Sequence, residues 1–266
     1  MAPLRDGLRE PRAIREACRS GAFAGQTAGL APGCVQTNLM ILPREAAAEF
    51  LAFCERNPVP CPLVEVLPAG ETEARCAPGS DLRTDLPGYR IFRDGRLERE
   101  ADDILDVWRE DLVSFLIGCS FSFEEALVEE GIALRHLMEG RNVAMFDTSI
   151  ACRPAGRFRG NMVVSMRPIR HDRVERVCAI CRQFPRVHGE PVHVGDPAQI
   201  GIRDLARPDY GDAVAIADGE VPVFWGCGVT PQAVALASGL PFCITHAPGR
   251  MFVTDLANES LRGKPA

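Results

Sequence analysis

Short apolar runs recur along the chain and predict strands over residues 36–42, 64–67, 112–117, 142–146, 162–166, 191–194, 221–225, 242–245 and 251–254. Mixed apolar and charged stretches separate many of them and predict helices. Residues 3–20 carry Leu8, Ile14 and Ala17 among charges, and in 43–56 Pro43 suits the first helical position with Glu45 in the first turn. The same pattern marks 100–110, a stretch ending at Glu130, 172–184, and a helix opening at Thr230 and Pro231. Pro58, Pro60 and Pro62 stop the second helix, and residues 68–88, rich in Gly, Pro, Thr and Asp, read as a long excursion. Strands alternating with helices at these spacings predict an α/β layered domain with a largely parallel sheet. Residues 155–195, bounded by Gly-Arg-rich and Pro-rich joins, read as a small inserted α/β subdomain. Residues 1–154 and 196–266 then form one discontinuous main α/β domain.

Composition narrows the function. The chain has 266 residues, 46% hydrophobic and 25% charged, which is the profile of a folded soluble protein. Its net charge of −6 is spread among mixed signs, so no footprint for nucleic acid or an anionic membrane is present. The longest apolar stretch, 112–121, is broken by Ser114, Gly118 and Ser120 and falls short of the ~20 residues that span a bilayer. The first 20 residues lack the apolar core of a secretory signal, which points to the cytoplasm and to reduced thiols for the eleven cysteines. Of 30 basic residues only Lys264 is lysine, so neither a pyridoxal-phosphate Schiff base nor a P-loop lysine is available. The expected partner is a small carboxylate or amino acid, handled without an organic cofactor and independently of pyridoxal phosphate. A divalent metal and a homo-oligomer both remain open.

Two strand–turn–helix units carry the candidate chemistry. A helix N-terminus presents unpaired N–H groups and partial positive charge, so it receives anions without lysine. Ser120 and Ser122 stand at the first unit, and Thr230 at the second is a natural N-cap with Pro231 behind it. These hydroxyls could equally do no more than cap their helices. Cys119 and Cys227 hold matching places in the two turns, where a thiol pKa is lowered, and two facing thiols would suit racemisation; small buried cysteines fit the same positions. Glu124, in the first turn after Ser122, is placed for a general base or for favourable interaction with the helix end alone. A third cluster runs from His188 through Glu190, His193 and Asp196 to Asp204, Asp209, Tyr210 and Asp212. It could supply acid and base groups or a metal site, though its spacing fits no zinc pattern, and it could be a turn-rich loop. The lone CxxC of Cys178 and Cys181 is expected in the core. No GxGxxG, GxSxG or HExxH occurs.

Several strings occur together in order: Gly118-Cys119-Ser120-Phe121-Ser122-Phe123-Glu124, Val164-Ser165-Met166-Arg167-Pro168, His188-Gly189-Glu190-Pro191-Val192-His193-Val194-Gly195-Asp196-Pro197, Pro208-Asp209-Tyr210-Gly211-Asp212, Phe224-Trp225-Gly226-Cys227-Gly228-Val229-Thr230-Pro231-Gln232 and Thr245-His246-Ala247-Pro248-Gly249. Over about residues 25–255 the chain resembles the bacterial hydro-lyase family that shares its domain with D-glutamate cyclase. The resemblance implies a three-layer α/β/α domain with a mixed, largely parallel sheet, carrying a smaller two-layer α/β subdomain. It also implies elimination of water, in the cyclase case the dehydration of D-glutamate to 5-oxo-D-proline. On that chemistry Ser120, Ser122 and Thr230, with Arg167 and His246, would bind carboxylate. Glu124 or His193, the latter oriented by Asp196, would supply base and acid, and the turn at 226–228 would stabilise an oxyanion. Two alternatives stand beside it: a cofactor-independent racemase using Cys119 and Cys227, and a carboxylate-binding protein with no turnover.

Overall fold

The computed structural model describes residues 8–263. Residues 3–7 of the expected first helix and Lys264 lie outside that span. Helix α1 runs Pro11–Arg19, strand β1 Cys34–Pro43, α2 Arg44–Arg56 and β2 Leu63–Leu67. A hairpin follows, β3 Tyr89–Arg93 and β4 Arg96–Ala101, then β5 Leu112–Gly118, α3 Phe121–Glu129 and the short α4 Arg135–Met138. Next come β6 Ala144–Ala151, β7 Asn161–Arg170, α5 Val174–Cys181 and β8 His193–Val194. The chain continues through β9 Glu220–Gly226, α6 Val229–Ala237, β10 Phe242–His246 and β11 Phe252–Ala257.

These strands form two sheets. The larger has the order β2-β5-β1-β10-β3-β4, with β11 also pairing β1, and the smaller has β6-β7-β9-β8. Every pairing in both is antiparallel, so the expected parallel, three-layer arrangement is corrected. The strand–helix alternation had a different origin. From β5 the chain passes through α3 and α4 into the other sheet, and from β9 it returns through α6 to β10 in the first, so successive strands change sheets instead of crossing over within one. Burial also hides the strand direction. All seven residues of β5 are buried, because Phe115 and Ile117 pack against α2 residues Phe50 and Phe53 on one face. On the other face Leu112 and Leu116 meet Ala77, Leu82 and Leu86 of the 68–88 excursion. A strand covered on both sides reads as one apolar run whatever its neighbours' direction.

The expected helix at 100–110 is also corrected: β4 ends at Ala101 and turns follow. Asp94 and Gly95, both at positive φ (48° and 73°), make the two-residue turn that joins β3 to β4. Residues 155–195 contribute β7 and β8 to the smaller sheet, whose other two strands, β6 and β9, come from outside that segment. Among the described residues no helix is long and apolar enough to cross a membrane.

Candidate active site

Both strand–turn–helix junctions open on one cavity of about 310 Å3 between the two sheets. Cys119, Ser120 and Phe121 reach it from the end of β5, and Cys227, Gly228 and Val229 from the end of β9. Asn38 of β1 ties the two turns together. Its Nδ2 donates to the carbonyls of Ile117 (3.3 Å) and Gly118 (3.0 Å), and its amide lies so close to Gly228 that a Cβ there would collide with it.

Among the described residues no Asp or Glu lines the cavity. The charged side chains on its wall are Arg90, paired with Glu100 at 2.8 Å, and Arg141, paired with Glu139 at 3.3 Å. Nor does any group of three His, Cys, Asp or Glu side chains among the described residues converge to hold a metal.

Of five histidines in the chain, His136, His188 and His246 line the cavity. The His246 Nδ1 accepts the backbone N–H of Leu39 at 3.2 Å and lies 3.0 Å from the Gln232 amide, so in the neutral ring the proton sits on Nε2. His188 is the reverse. Its Nδ1 lies 2.8 Å from the Val59 carbonyl, which can only accept, so Nδ1 carries the proton and Nε2 the lone pair. Burial pushes both rings down to about 4. His188 is moreover held at φ 80°, a conformation uncommon outside glycine.

Behind the wall lies a buried ionic cluster. Arg167 is fully buried; its Nε donates to Glu124 Oε1 at 2.9 Å, and Nη2 also donates to that oxygen. Nη1 donates to Ser165 Oγ and Nη2 to Ser120 Oγ, both at 2.9 Å. The guanidinium carbon lies 5.2 Å from the Phe123 ring centre and 5.1 Å from that of Trp225. Burial alone would raise the Glu124 carboxyl, but Arg167 and the His136 ring, whose Nε2 is 3.3 Å away, outweigh it and hold it down to about 2.

The remaining residues singled out in the sequence fall in different places. Cys119 and Cys227 face the cavity, half-buried, and burial raises their thiols to about 12 and about 11. The N–H groups of Phe121 and Val229 favour the respective thiolates but do not offset that burial. Thr230 does not cap α6, whose N-cap is Gly228. Its hydroxyl donates to the Val163 carbonyl (3.1 Å) and accepts the Val163 N–H (2.9 Å), fastening the helix to β7. Ser122 is buried off the cavity wall. His193 and Asp196 do not line the cavity either. The His193 ring bonds the Asp196 carbonyl at 2.8 Å, and the Asp196 carboxylate accepts the Ala198 N–H at the start of a 3-10 turn.

The sequence placed His188 in the third candidate cluster but gave the acid–base role there to His193. His136 and Ser165 were not singled out, and both reach the cavity through long-range packing.

Fold and cavity define a mixed α/β protein whose cleft between two antiparallel sheets is lined by no carboxylate among the described residues. The chain belongs to the D-glutamate cyclase family, whose model matches residues 113–255. It is 56% identical over 252 residues to a protein from Stutzerimonas stutzeri named "Putative hydro-lyase", covering 94% of this chain and 95% of that one. A protein of the same name from Rubrobacter xylanophilus is 58% identical over 242 residues, 91% of this chain and 93% of that one. Among solved structures, a nitrogen repressor-like protein from Methanococcus jannaschii aligns at TM-score 0.43 and 9% identity over 93% of this chain and 97% of that one.

Proposed function

We propose that this chain is a lyase that eliminates water from a small carboxylate, and that D-glutamate, closing to 5-oxo-D-proline, is its substrate. The observation that carries this reading is the pair of neutral histidines with opposite tautomers on a cavity that has two helix N-termini and, among the described residues, no carboxylate. Family membership and the names of the relatives support it.

The chemistry balances within such a site. The α-amine attacks the γ-carboxyl carbon, a C–N bond forms, a C–O bond breaks, and both protons lost by the ammonium leave with the departing oxygen as water. His188 Nε2, holding a lone pair, takes one amine proton and passes it to the leaving oxygen; His246 Nε2 gives that oxygen its second proton and is restored by the other amine proton. N–H groups at the start of α6 stabilise the charge that develops on the carbonyl oxygen. No step calls on a thiolate, in keeping with the raised Cys119 and Cys227.

Proton NMR in deuterated water, with D-glutamate and separately with 5-oxo-D-proline, with and without EDTA, tests this. Growth of the partner compound without α-deuterium is the expected result, and loss of turnover in EDTA would add a metal to the mechanism. Incorporation of α-deuterium without ring closure would replace the lyase by a thiol racemase. No change in either compound would remove D-glutamate as substrate.

A further inference from the structure

Ser120 and Ser165 stand on opposite elements, the first at the N-cap of α3 and the second on β7, yet both line the cavity. Both are nearly inaccessible, at 7% and 1% exposure. Each hydroxyl oxygen accepts one N–H of Arg167 at 2.9 Å. A hydroxyl that accepts from a cation keeps its own proton directed away from it. Among the described residues neither O–H has a protein acceptor, so two buried donors are left facing the space these serines line. Glu124 accepts from Arg167 Nε and Nη2, which fixes the guanidinium in its plane, and the Phe123 and Trp225 rings lie against it.

We propose that Ser120 and Ser165 are a paired-hydroxyl subsite for one substrate carboxylate, and that Arg167 is the positioning residue that turns both hydroxyls toward it. The carboxylate is the one that survives the reaction, the α-carboxylate of an amino diacid. It is present in substrate and product alike, so a fixed pair of donors can hold it throughout. Arg167 itself does not line the cavity, which distinguishes this arrangement from direct arginine–carboxylate pairing. Its charge reaches the ligand through two polarised hydroxyls, and hydrogen bonds of this kind to an ion are stronger than neutral ones. This inference rests on the small-carboxylate reading of the cavity and assigns where that carboxylate sits.

The test is calorimetric titration of the full-length protein with 5-oxo-D-proline and with glutarate, alongside steady-state kinetics on D-glutamate. Ser120→Ala and Ser165→Ala are each expected to weaken binding of both probes, and to raise KM, by about tenfold. The effect on kcat should be much smaller. Arg167→Lys keeps the charge and loses the fork; it should weaken binding about as much as the double serine variant and add little to it, because all three act as one unit. If Arg167→Lys does not fold, as circular dichroism would reveal, the two serine variants decide alone. Binding unchanged within twofold in both folded serine variants would overturn the subsite, as would wild-type protein that binds neither probe. Wild-type protein that binds the probes in a serine-dependent way but leaves D-glutamate unchanged would uphold the subsite and reject the cyclase reaction. Turnover that survives both serine substitutions with unaltered KM would do the opposite.

Discussion

The backbone N–H of Leu39 donates to Nδ1 of His246 at 3.2 Å, and that one bond sets which ring nitrogen can act on a ligand. Leu39 lies on central strand β1, flanked by β5 and β10, so the donor is as rigid as the sheet. At His188 the Val59 carbonyl sets the opposite tautomer at 2.8 Å. Two neutral rings with reversed polarity form an acid and a base without either needing to be charged at rest.

The first prediction concerns those rings. His246→Gln and His188→Asn should each lower kcat by about 10²–10⁴-fold while the fold persists, asparagine being chosen because it tolerates the left-handed backbone at position 188. Since both rings titrate near 4, kcat should hold level from neutrality into mild acid and fall only as the pH approaches 4. A pH profile with its acid limb at the ordinary histidine value of 6.5 would remove these two residues from the proton transfers.

Stability should share that acid dependence, with a sign that follows from linkage. Each ring titrates near 6.5 when unfolded and near 4 when folded, so between those values the unfolded chain binds more protons and stability drops as the pH falls. Glu124, lowered from 4.5 to about 2, extends the loss further into acid. Thermal unfolding from pH 7 down to pH 3 should therefore show a Tm that declines in two stages. The double variant His188→Asn with His246→Gln should flatten the upper stage and leave the lower one intact. An unchanged Tm across the upper range in the wild type would contradict neutral buried rings.

Much of this was legible in the chain, and what was not has identifiable causes. The apolar runs located β1, β5, β9 and β10 to within a few residues, because central strands must be apolar throughout. The turns after Gly118 and Gly226 were visible from the Gly-Cys pairs between a strand and a helix. Strand direction was not legible, since burial on both faces erases the alternation that marks an antiparallel sheet. The β3–β4 hairpin was missed, although Asp94-Gly95 is its turn signal, and the charged residues beyond it imitated a helical pattern. In the third cluster His193 drew attention through the nearby Asp196, whereas the histidine that reaches the cavity is His188, whose backbone holds a positive φ. No spacing rule could have joined Ser165 to Ser120, because an arginine from β7 and a glutamate from α3 bring them together.

The cysteines provide a contrasting prediction. With thiols at about 12 and about 11, Cys119 and Cys227 are protonated at neutral pH, so alkylation by iodoacetamide at pH 7.5 should run at least about a hundredfold slower there than at a free thiol. Peptide mass spectrometry would resolve the two sites. The double variant Cys119→Ser with Cys227→Ser should keep turnover of the substrate within a few-fold. Rapid labelling of either cysteine, or loss of turnover in the double variant, would place a thiolate in the mechanism.

Gly228 tests whether the two junctions are held in register by Asn38. Its backbone is ordinary, with φ at −64°, so an alanine there carries no conformational strain; the cost comes from the Asn38 amide that the new Cβ would strike. Either α6 must shift away from β1, or Asn38 must release the carbonyls of Ile117 and Gly118. Gly228→Ala should accordingly lose about 1–3 kcal/mol in urea unfolding and raise KM, since one turn moves relative to the other. Asn38→Ala alone should also destabilise, by leaving two carbonyls short of a donor. Together the substitutions should cost less than the sum of their separate effects, because removing the amide makes room for the methyl group. Strictly additive losses would mean that Asn38 does not couple the turns.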